Sequence, residues 1–267
     1  MFIYTNISIM SKPLIAGNWK MHLSEPQSRG LAEQVEAQAA AYADTVETAV
    51  FPSSIALSSV NSLVESTATG VQNIYFADEG AFTGEIAAAQ VSDVADYAIV
   101  GHSERRYVFG ETDETVARKT AACIRNHITP IVCVGETLHE RQENETVQVL
   151  NDQISTGLTM ITSEDVAGSV IAYEPVWAIG TGENAKPEDV ASAARTIDRA
   201  IGEMFGRKTA DQVRVLYGGS VSSETAGSYL DLEEISGLLV GGASLKEHEF
   251  KAIIERAANG GAETGKS

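Results

Sequence analysis

The sequence predicts an α/β protein that folds as a single-domain (β/α)8 barrel. Eight short, β-branched apolar runs alternate with stretches that carry helix-start residues, which is the pattern of parallel βα units. The 267 residues fit the roughly 250 residues of such barrels. No linker or low-complexity segment divides the chain. The alternation alone also allows an open doubly wound sheet, but the glycine-rich dinucleotide loop typical of that fold does not follow the first run.

The eight predicted strands share an apolar body and a polar or glycine-rich end. They are residues 14–18, 45–51, 70–77, 97–100, 128–134, 170–174, 213–217 and 237–240. Between them, four helix starts are predicted from capping residues or an initial proline, at Ser24, Thr112, Pro187 and Ser222.

The two ends of the chain are predicted to lie outside the barrel. Residues 1–11 are interpreted as an N-terminal extension with Met10 as an alternative start, residues 12–259 as the catalytic barrel and 260–267 as a flexible tail. The first ten residues lack the positive charge and small-residue cleavage site of a signal peptide. No apolar stretch approaches the roughly 18 to 20 residues of a membrane span, so no membrane association is expected.

Charge and cysteine content narrow the possible partners. A formal net charge of −18 argues against general binding to nucleic acid or to anionic membranes, which favour basic surfaces. The only cysteines, Cys123 and Cys133, have neither disulfide-framework nor zinc-site spacing, which favours a reducing cytoplasmic location. We expect no metal and no cofactor.

Chemistry in a βα barrel gathers where the strands end. Asn18 and Lys20 follow the first predicted strand, and the fourth is followed by His102, Ser103 and Glu104. Each of these side chains alone has an ordinary structural explanation, such as a hydrogen-bonded histidine or a surface lysine. Their convergence on one rim predicts a catalytic site, with Glu104 as the ion-pair partner of Lys20.

Glu174 ends the sixth strand, where a partly desolvated carboxylate could act as a general base. Abstraction of a proton beside a carbonyl forms an ene-diolate, so the opposite side of the site needs hydrogen-bond donors. We expect Glu174 to be the base and Asn18, Lys20 and His102 to be the donors. Cys133, within an apolar strand, is interpreted as a small buried hydrophobe.

Glycines follow the last two strands at Gly218, Gly219, Gly241 and Gly242, next to Ser220. Backbone N–H groups in such turns are suited to anions, and phosphate sites in this fold use these two loops. Tight turns without a ligand explain either pair equally well. Together with Ser220 they favour a phosphorylated substrate.

Eight segments carry a resemblance to the triosephosphate isomerase family, whose fold is the TIM barrel, over residues 12–246. These segments are AGNWKM at 16–21, GAFTGE at 80–85, VGHSERR at 100–106, FGETDE at 109–114, PIVCVGE at 130–136, AYEPVWAIGTG at 172–182, YGGSV at 217–221 and LVGGASL at 239–245. The resemblance implies the interconversion of D-glyceraldehyde 3-phosphate and dihydroxyacetone phosphate through an ene-diolate.

The resemblance also implies a role for individual residues. Glu174 is then the base, His102 a neutral electrophile, Lys20 a fixed charge and Asn18 a holder of substrate oxygens. Asn18 and Lys20 then contact the substrate, and phosphate contacts follow at Gly180, Ser220, Gly241 and Gly242. Residues 175–185 would form a closing lid, with Ile179 and Leu239 pressing on Glu174 and with Ser103, Glu104, Tyr217 and Ala185 in support.

The same resemblance implies a homodimer, in which Thr83 inserts beside Asn18 and Lys20 of a neighbouring subunit. Residues 86–91 depart from the family pattern because its Ser-Pro and Met residues are missing. Two alternatives stay open at this point. One is a barrel isomerase acting on a larger sugar phosphate or an indole phosphate, and the other is a non-catalytic barrel that serves as a scaffold.

Overall fold

The computed structural model describes residues 12–179 and 184–260, which form one closed parallel barrel with its strands in sequence order. This confirms the predicted fold class. The strands are β1 (Leu14–Asn18), β2 (Glu47–Phe51), β3 (Thr67–Val71), β4 (Tyr97–Val100), β5 (Thr129–Val134), β6 (Val170–Tyr173), β7 (Arg214–Tyr217) and β8 (Gly237–Val240). The predicted extension at 1–11 lies outside the described residues.

Helices cover the outside of the barrel. They are α1 (Glu25–Tyr42), α2 (Leu57–Asn61), α3 (Ala88–Val91), α4 (Ser103–Tyr107), α5 (Asp113–Arg125), α6 (Leu138–Gln142), α7 (Thr146–Gly157), α8 (Ser163–Ala167), α9 (Pro187–Phe205), α10 (Arg207–Ala210), α11 (Ala226–Leu230) and α12 (Glu247–Gly260). Gly260 therefore ends a helix instead of opening the predicted tail, and 261–267 lie outside the described residues. Among the described helices, none is long and apolar enough to cross a membrane.

Three of the four predicted helix starts are confirmed. Ser24 and Thr112 directly precede α1 and α5, and Pro187 is the first residue of α9, where its missing N–H costs nothing. The prediction at Ser222 is wrong, because α11 begins only at Ala226. Ser222 instead forms a turn with Thr225, whose hydroxyl accepts the Ser222 N–H at 3.0 Å.

Strand alternation divides the apolar residues into two cores. Inward-facing side chains fill the barrel, and outward-facing ones pack beneath the helices. The inner set is Leu14, Ala16, Ala49, Phe51, Tyr97, Ile99, Ile131, Cys133, Val170, Ala172, Leu216 and Leu239. Cys133 is fully buried there, as predicted.

The third strand differs most from its prediction, since β3 spans Thr67–Val71 and not residues 70–77. The aromatic run that follows belongs to a loop in which the Tyr75 ring contacts Phe76 and Phe82, with ring centroids 4.0 and 4.5 Å apart. Short-range pattern cannot separate such a packed loop from a strand, because both place apolar side chains in sequence.

Other strands begin one or two residues later than predicted, because the N–H groups just before them hydrogen-bond within local turns. The N–H of Val46 bonds Tyr42 O at 2.9 Å, and that of Ile128 bonds Cys123 O at 3.0 Å. Residues 86–91, which depart from the family pattern, contain the short helix α3. Its N-cap residue Ala87 has no capping hydroxyl, but Gln90 Oε1 accepts the N–H of Ala87 at 3.0 Å.

Candidate active site

A cavity of about 540 Å³ opens at the carboxyl end of the barrel. It is lined by eleven of the predicted site residues, namely Asn18, Lys20, His102, Ser103, Glu104, Glu174, Ile179, Ser220, Leu239, Gly241 and Gly242. Tyr217 and Ala185 are buried outside this lining, and Thr83 is exposed on the loop after β3. Gly180 lies outside the described residues. The structure therefore brings together side chains from loops that are far apart in the sequence.

Glu174 directly follows β6, and its N–H bonds Val134 O at 2.7 Å. This close approach needs Gly135, since a Cβ at that position would lie 1.7 Å from Glu174 O. The side chain is 2% exposed, and its Oε2 accepts the N–H of Ser103 at 2.8 Å. Its Oε1 lies 3.1 Å from His102 Nε2. Glu174 is thus a buried carboxylate held at the cavity by donors from the loop after β4.

His102 caps the short helix α4, and its Nδ1 accepts the N–H of Glu104 at 3.2 Å. A backbone N–H only donates, so Nδ1 keeps its lone pair and the ring is a neutral imidazole. The ring proton is then on Nε2, which faces Glu174. The local helix cap therefore decides which nitrogen presents a proton to the cavity.

Lys20 has an unusual backbone conformation for a residue with a side chain, with φ of 50°. Its N–H bonds Asn18 Oδ1 at 3.0 Å, while Gln72 Nε2 donates to Lys20 O at 2.8 Å and to Phe51 O at 2.9 Å. Sequence reasoning missed Gln72, because no short motif links a residue after β3 to the loop after β1. The amide thus links the strained Lys20 to Phe51, the last residue of β2.

The Lys20 ammonium pairs with Glu104, with 2.5 Å between Nζ and Oε1, as predicted. Burial by itself would raise the pKa of Glu104, but the hydrogen bond and charge of Lys20 outweigh it and leave that pKa below its ordinary value. The carboxylate is therefore ionised at neutral pH. A Cβ at Gly241 would lie 3.6 Å from Lys20 Cε, so the lysine stem runs beside the loop after β8.

Backbone groups of the loops after β7 and β8 also line the cavity. Among the hydrogen bonds between described residues, none uses the N–H of Gly219, Ser220, Gly241 or Gly242 as a donor. The Ser220 hydroxyl donates to Ala178 O at 2.6 Å, which joins the loop after β7 to the segment after β6. Within the described residues, these four backbone donors beside the cavity have no acceptor, a feature of anion sites.

A second buried carboxylate near the site was also missed from the sequence. Glu136 follows β5 and is 0% exposed, and burial raises its pKa although Trp177 Nε1 donates to it at 2.8 Å and Tyr173 Oη at 3.1 Å. Its backbone O accepts the N–H of Val176 at 3.1 Å. Glu136 therefore fixes the segment that directly follows Glu174. A single acidic residue after a strand is common, so the sequence alone did not mark Glu136 as part of the site.

No three His, Cys, Asp or Glu side chains within 12–179 and 184–260 converge in a way that could hold a metal ion. The cavity instead joins a buried carboxylate, a neutral imidazole, an ammonium group and a row of backbone donors. Such a fold with such a mouth defines a (β/α)8-barrel enzyme.

Comparison with known proteins gives the family. The sequence profile of triosephosphate isomerase matches residues 13–257. Triosephosphate isomerase of Carboxydothermus hydrogenoformans is 43% identical over 249 residues, which cover 92% of this chain and 99% of that protein. The enzymes named triosephosphate isomerase in Clostridium tetani and Rhodopirellula baltica are 41% and 43% identical, over 92% and 91% of this chain and 96% and 97% of their own length. The chain belongs to the triosephosphate isomerase family and is an isomerase.

Proposed function

We propose that this chain interconverts D-glyceraldehyde 3-phosphate and dihydroxyacetone phosphate, with Glu174 as the base that moves a proton between two adjacent carbons. The position of the Glu174 carboxylate supports this most directly. One oxygen is held by the N–H of Ser103, and the other lies at the cavity, 3.1 Å from His102 Nε2. When a substrate oxygen takes over the Nε2–H of His102, this second carboxylate oxygen becomes available to a substrate C–H.

The donors needed for the ene-diolate lie around the same cavity. The Nε2–H of His102 serves the substrate oxygens in this proposal, and the Asn18 amide, whose Oδ1 is occupied by the N–H of Lys20, retains its NH₂ group. The Lys20 ammonium adds a positive charge where negative charge develops. Since Glu104 pairs with Lys20, it orients the ammonium group.

The phosphate group is proposed to bind the backbone donors of Ser220, Gly241 and Gly242, with a further contact at Gly180 that rests on the family resemblance. Ile179 and Leu239 both line the cavity. They are proposed to exclude water from Glu174, which protects the intermediate.

The test is isomerisation of D-glyceraldehyde 3-phosphate by the purified chain in a coupled assay, repeated in deuterated water. We expect dihydroxyacetone phosphate that carries deuterium on carbon, because a carboxylate base exchanges its proton with solvent. A larger sugar phosphate or an indole phosphate serves as the comparison substrate. Turnover of such a compound without turnover of the triose phosphate would contradict the proposal.

We further propose that the chain forms a homodimer through the loops at this end of the barrel. Exposed apolar side chains lie on the loops after the first four strands, where Met21 is 94% exposed, Ile55 78%, Phe82 42% and Val108 72%. Apolar side chains exposed in this number favour a protein partner. The exposed Thr83 follows Phe82 directly.

Replacement Thr83→Arg places an unpaired charge in this interface and is expected to shift the protein to monomers of low activity. Sedimentation velocity and the coupled assay measure both effects. Thr159→Arg, at an exposed position after α7, is the matched control and should stay dimeric and active. A dimeric, active Thr83→Arg protein would exclude this mode of assembly.

A cytoplasmic location is part of the proposal. Its support is that Cys123 and Cys133 are both free and buried, as in proteins kept in a reducing compartment. Fractionation of the producing cells would check it.

A further inference from the structure

Tyr229, on helix α11, makes a buried hydrogen bond that the proposed mechanism does not use. Its Oη donates to Ala185 O at 2.9 Å, and both residues are 2% exposed. Ala185 lies just before α9, so the bond joins two elements that are distant in the sequence. A buried carbonyl that loses a strong donor is destabilised, so this bond restrains both partners.

The ring of Tyr229 packs against Tyr217, with centroids 4.1 Å apart and planes at 32°. Tyr217 is the last residue of β7 and is completely buried. Its hydroxyl lies beneath the next turn, because a Cβ at Gly219 would come within 2.2 Å of Tyr217 Oη. Tyr217 therefore supports from below the turn of Gly218, Gly219 and Ser220, which lines the cavity.

We propose that Tyr229 is a positioning residue for the anion site: its hydroxyl, bonded to Ala185, sets the Tyr217 ring and thereby the turn that presents the N–H groups of Gly219 and Ser220. This inference rests on the proposed phosphate site. It adds a residue of α11, which does not line the cavity, to the set that determines phosphate affinity.

The experiment compares Tyr229→Phe with wild type for competitive inhibition by inorganic phosphate and for KM and kcat with D-glyceraldehyde 3-phosphate. Tyr229→Phe keeps the ring and removes only the hydroxyl. We expect the inhibition constant for phosphate and KM to rise roughly three- to tenfold, with kcat changed less than about twofold, as for loss of one hydrogen bond. Tyr42→Phe, which removes a hydroxyl 3.5 Å from Glu255 between α1 and α12, should change neither constant.

A double-mutant cycle with Gly219→Ala tests the route of the effect. Because the added methyl group displaces Tyr217, the two substitutions should be less than additive in the inhibition constant. Additive effects would overturn the proposal, as would an unchanged inhibition constant in folded Tyr229→Phe, even if its melting temperature fell. If wild type isomerises the triose phosphate but phosphate does not inhibit it, the proposed phosphate site is also refuted. Absence of isomerisation in wild type would instead refute the proposed function.

Discussion

Both ends of the barrel contain a carboxylate among other polar side chains, but these groups bond one another at the amino end and face a cavity at the carboxyl end. At the amino end, the first residues of three strands meet inside the barrel: Tyr97 Oη donates to Glu47, Arg214 pairs with Glu47 Oε2 at 2.5 Å, and Arg214 donates to Tyr97 Oη at 2.9 Å. At the carboxyl end, Glu174 and His102 face an open cavity. Of the two carboxylates compared, Glu174 lines the cavity and Glu47 does not.

Residue type alone therefore does not separate a structural cluster from a reactive one. The carboxylate, guanidinium and phenol of the amino end use their hydrogen-bonding capacity on one another. The mouth instead has backbone N–H groups that find no acceptor in the part of the chain that the structure describes, and a Lys20 backbone at a φ of 50°. Unused capacity and local strain are features of sites that bind something else.

The largest effect is expected for Glu174→Gln, which keeps the shape of the side chain and removes the base. We expect kcat to fall by about 10² to 10⁴-fold or more, with phosphate inhibition largely unchanged. The coupled assay measures kcat, and inhibition by inorganic phosphate reports an intact site. A variant with a tenth of wild-type kcat would show that another group takes the proton.

A smaller effect is expected at alkaline pH from Tyr97. Burial raises its pKa to about 12, from 10.0. Since the folded-state pKa lies above the unfolded one, the protonated phenol contributes stability below about pH 10 that is lost as pH rises through about 12. A shift of this size corresponds to about 3 kcal/mol.

Replacement Tyr97→Phe should therefore flatten the fall in unfolding free energy between pH 10 and 12. Urea unfolding at several pH values measures that slope. Buried Tyr173 and Tyr217 also have raised pKa values and continue to contribute in the variant, so the comparison is between slopes. An identical slope would show that the pKa of the Tyr97 phenol is not raised in the folded protein.

The smallest effect on activity is expected for Glu47→Gln, the counterpart of Glu174→Gln at the other end. Its charge pairs with Arg214, but the side chain is 34% exposed, so solvent screens the pair. We expect unfolding free energy to fall by roughly 1 to 2 kcal/mol, with kcat within about twofold of wild type. Thermal unfolding and the coupled assay measure both. A loss of kcat comparable to that of Glu174→Gln would abolish the distinction between the two ends.

Much of the fold followed from local pattern. Seven strands, and the helix starts at Ser24, Thr112 and Pro187, were predictable because apolar alternation and capping chemistry depend on residues close in sequence. The third strand was not, since the apolar residues 74–76 belong to a loop. Their apolar character serves contacts within that loop, such as the Tyr75 ring against Phe82. The predicted start of α11 was wrong for a related reason, because Ser222 forms a turn with Thr225 instead of capping the helix.

The site residues were likewise predictable from local sequence, whereas the contacts between them were not. The sequence by itself determined which reactive side chains end the strands, because polar residues such as Asn18, His102 and Glu174 interrupt apolar runs at those points. Only the tertiary structure decided that His102 turns its Nε2 to Glu174, that Gln72 bonds Lys20 and that Tyr229 packs against Tyr217. These contacts join residues from different βα units, and closure of the barrel, which no local pattern encodes, sets their distances.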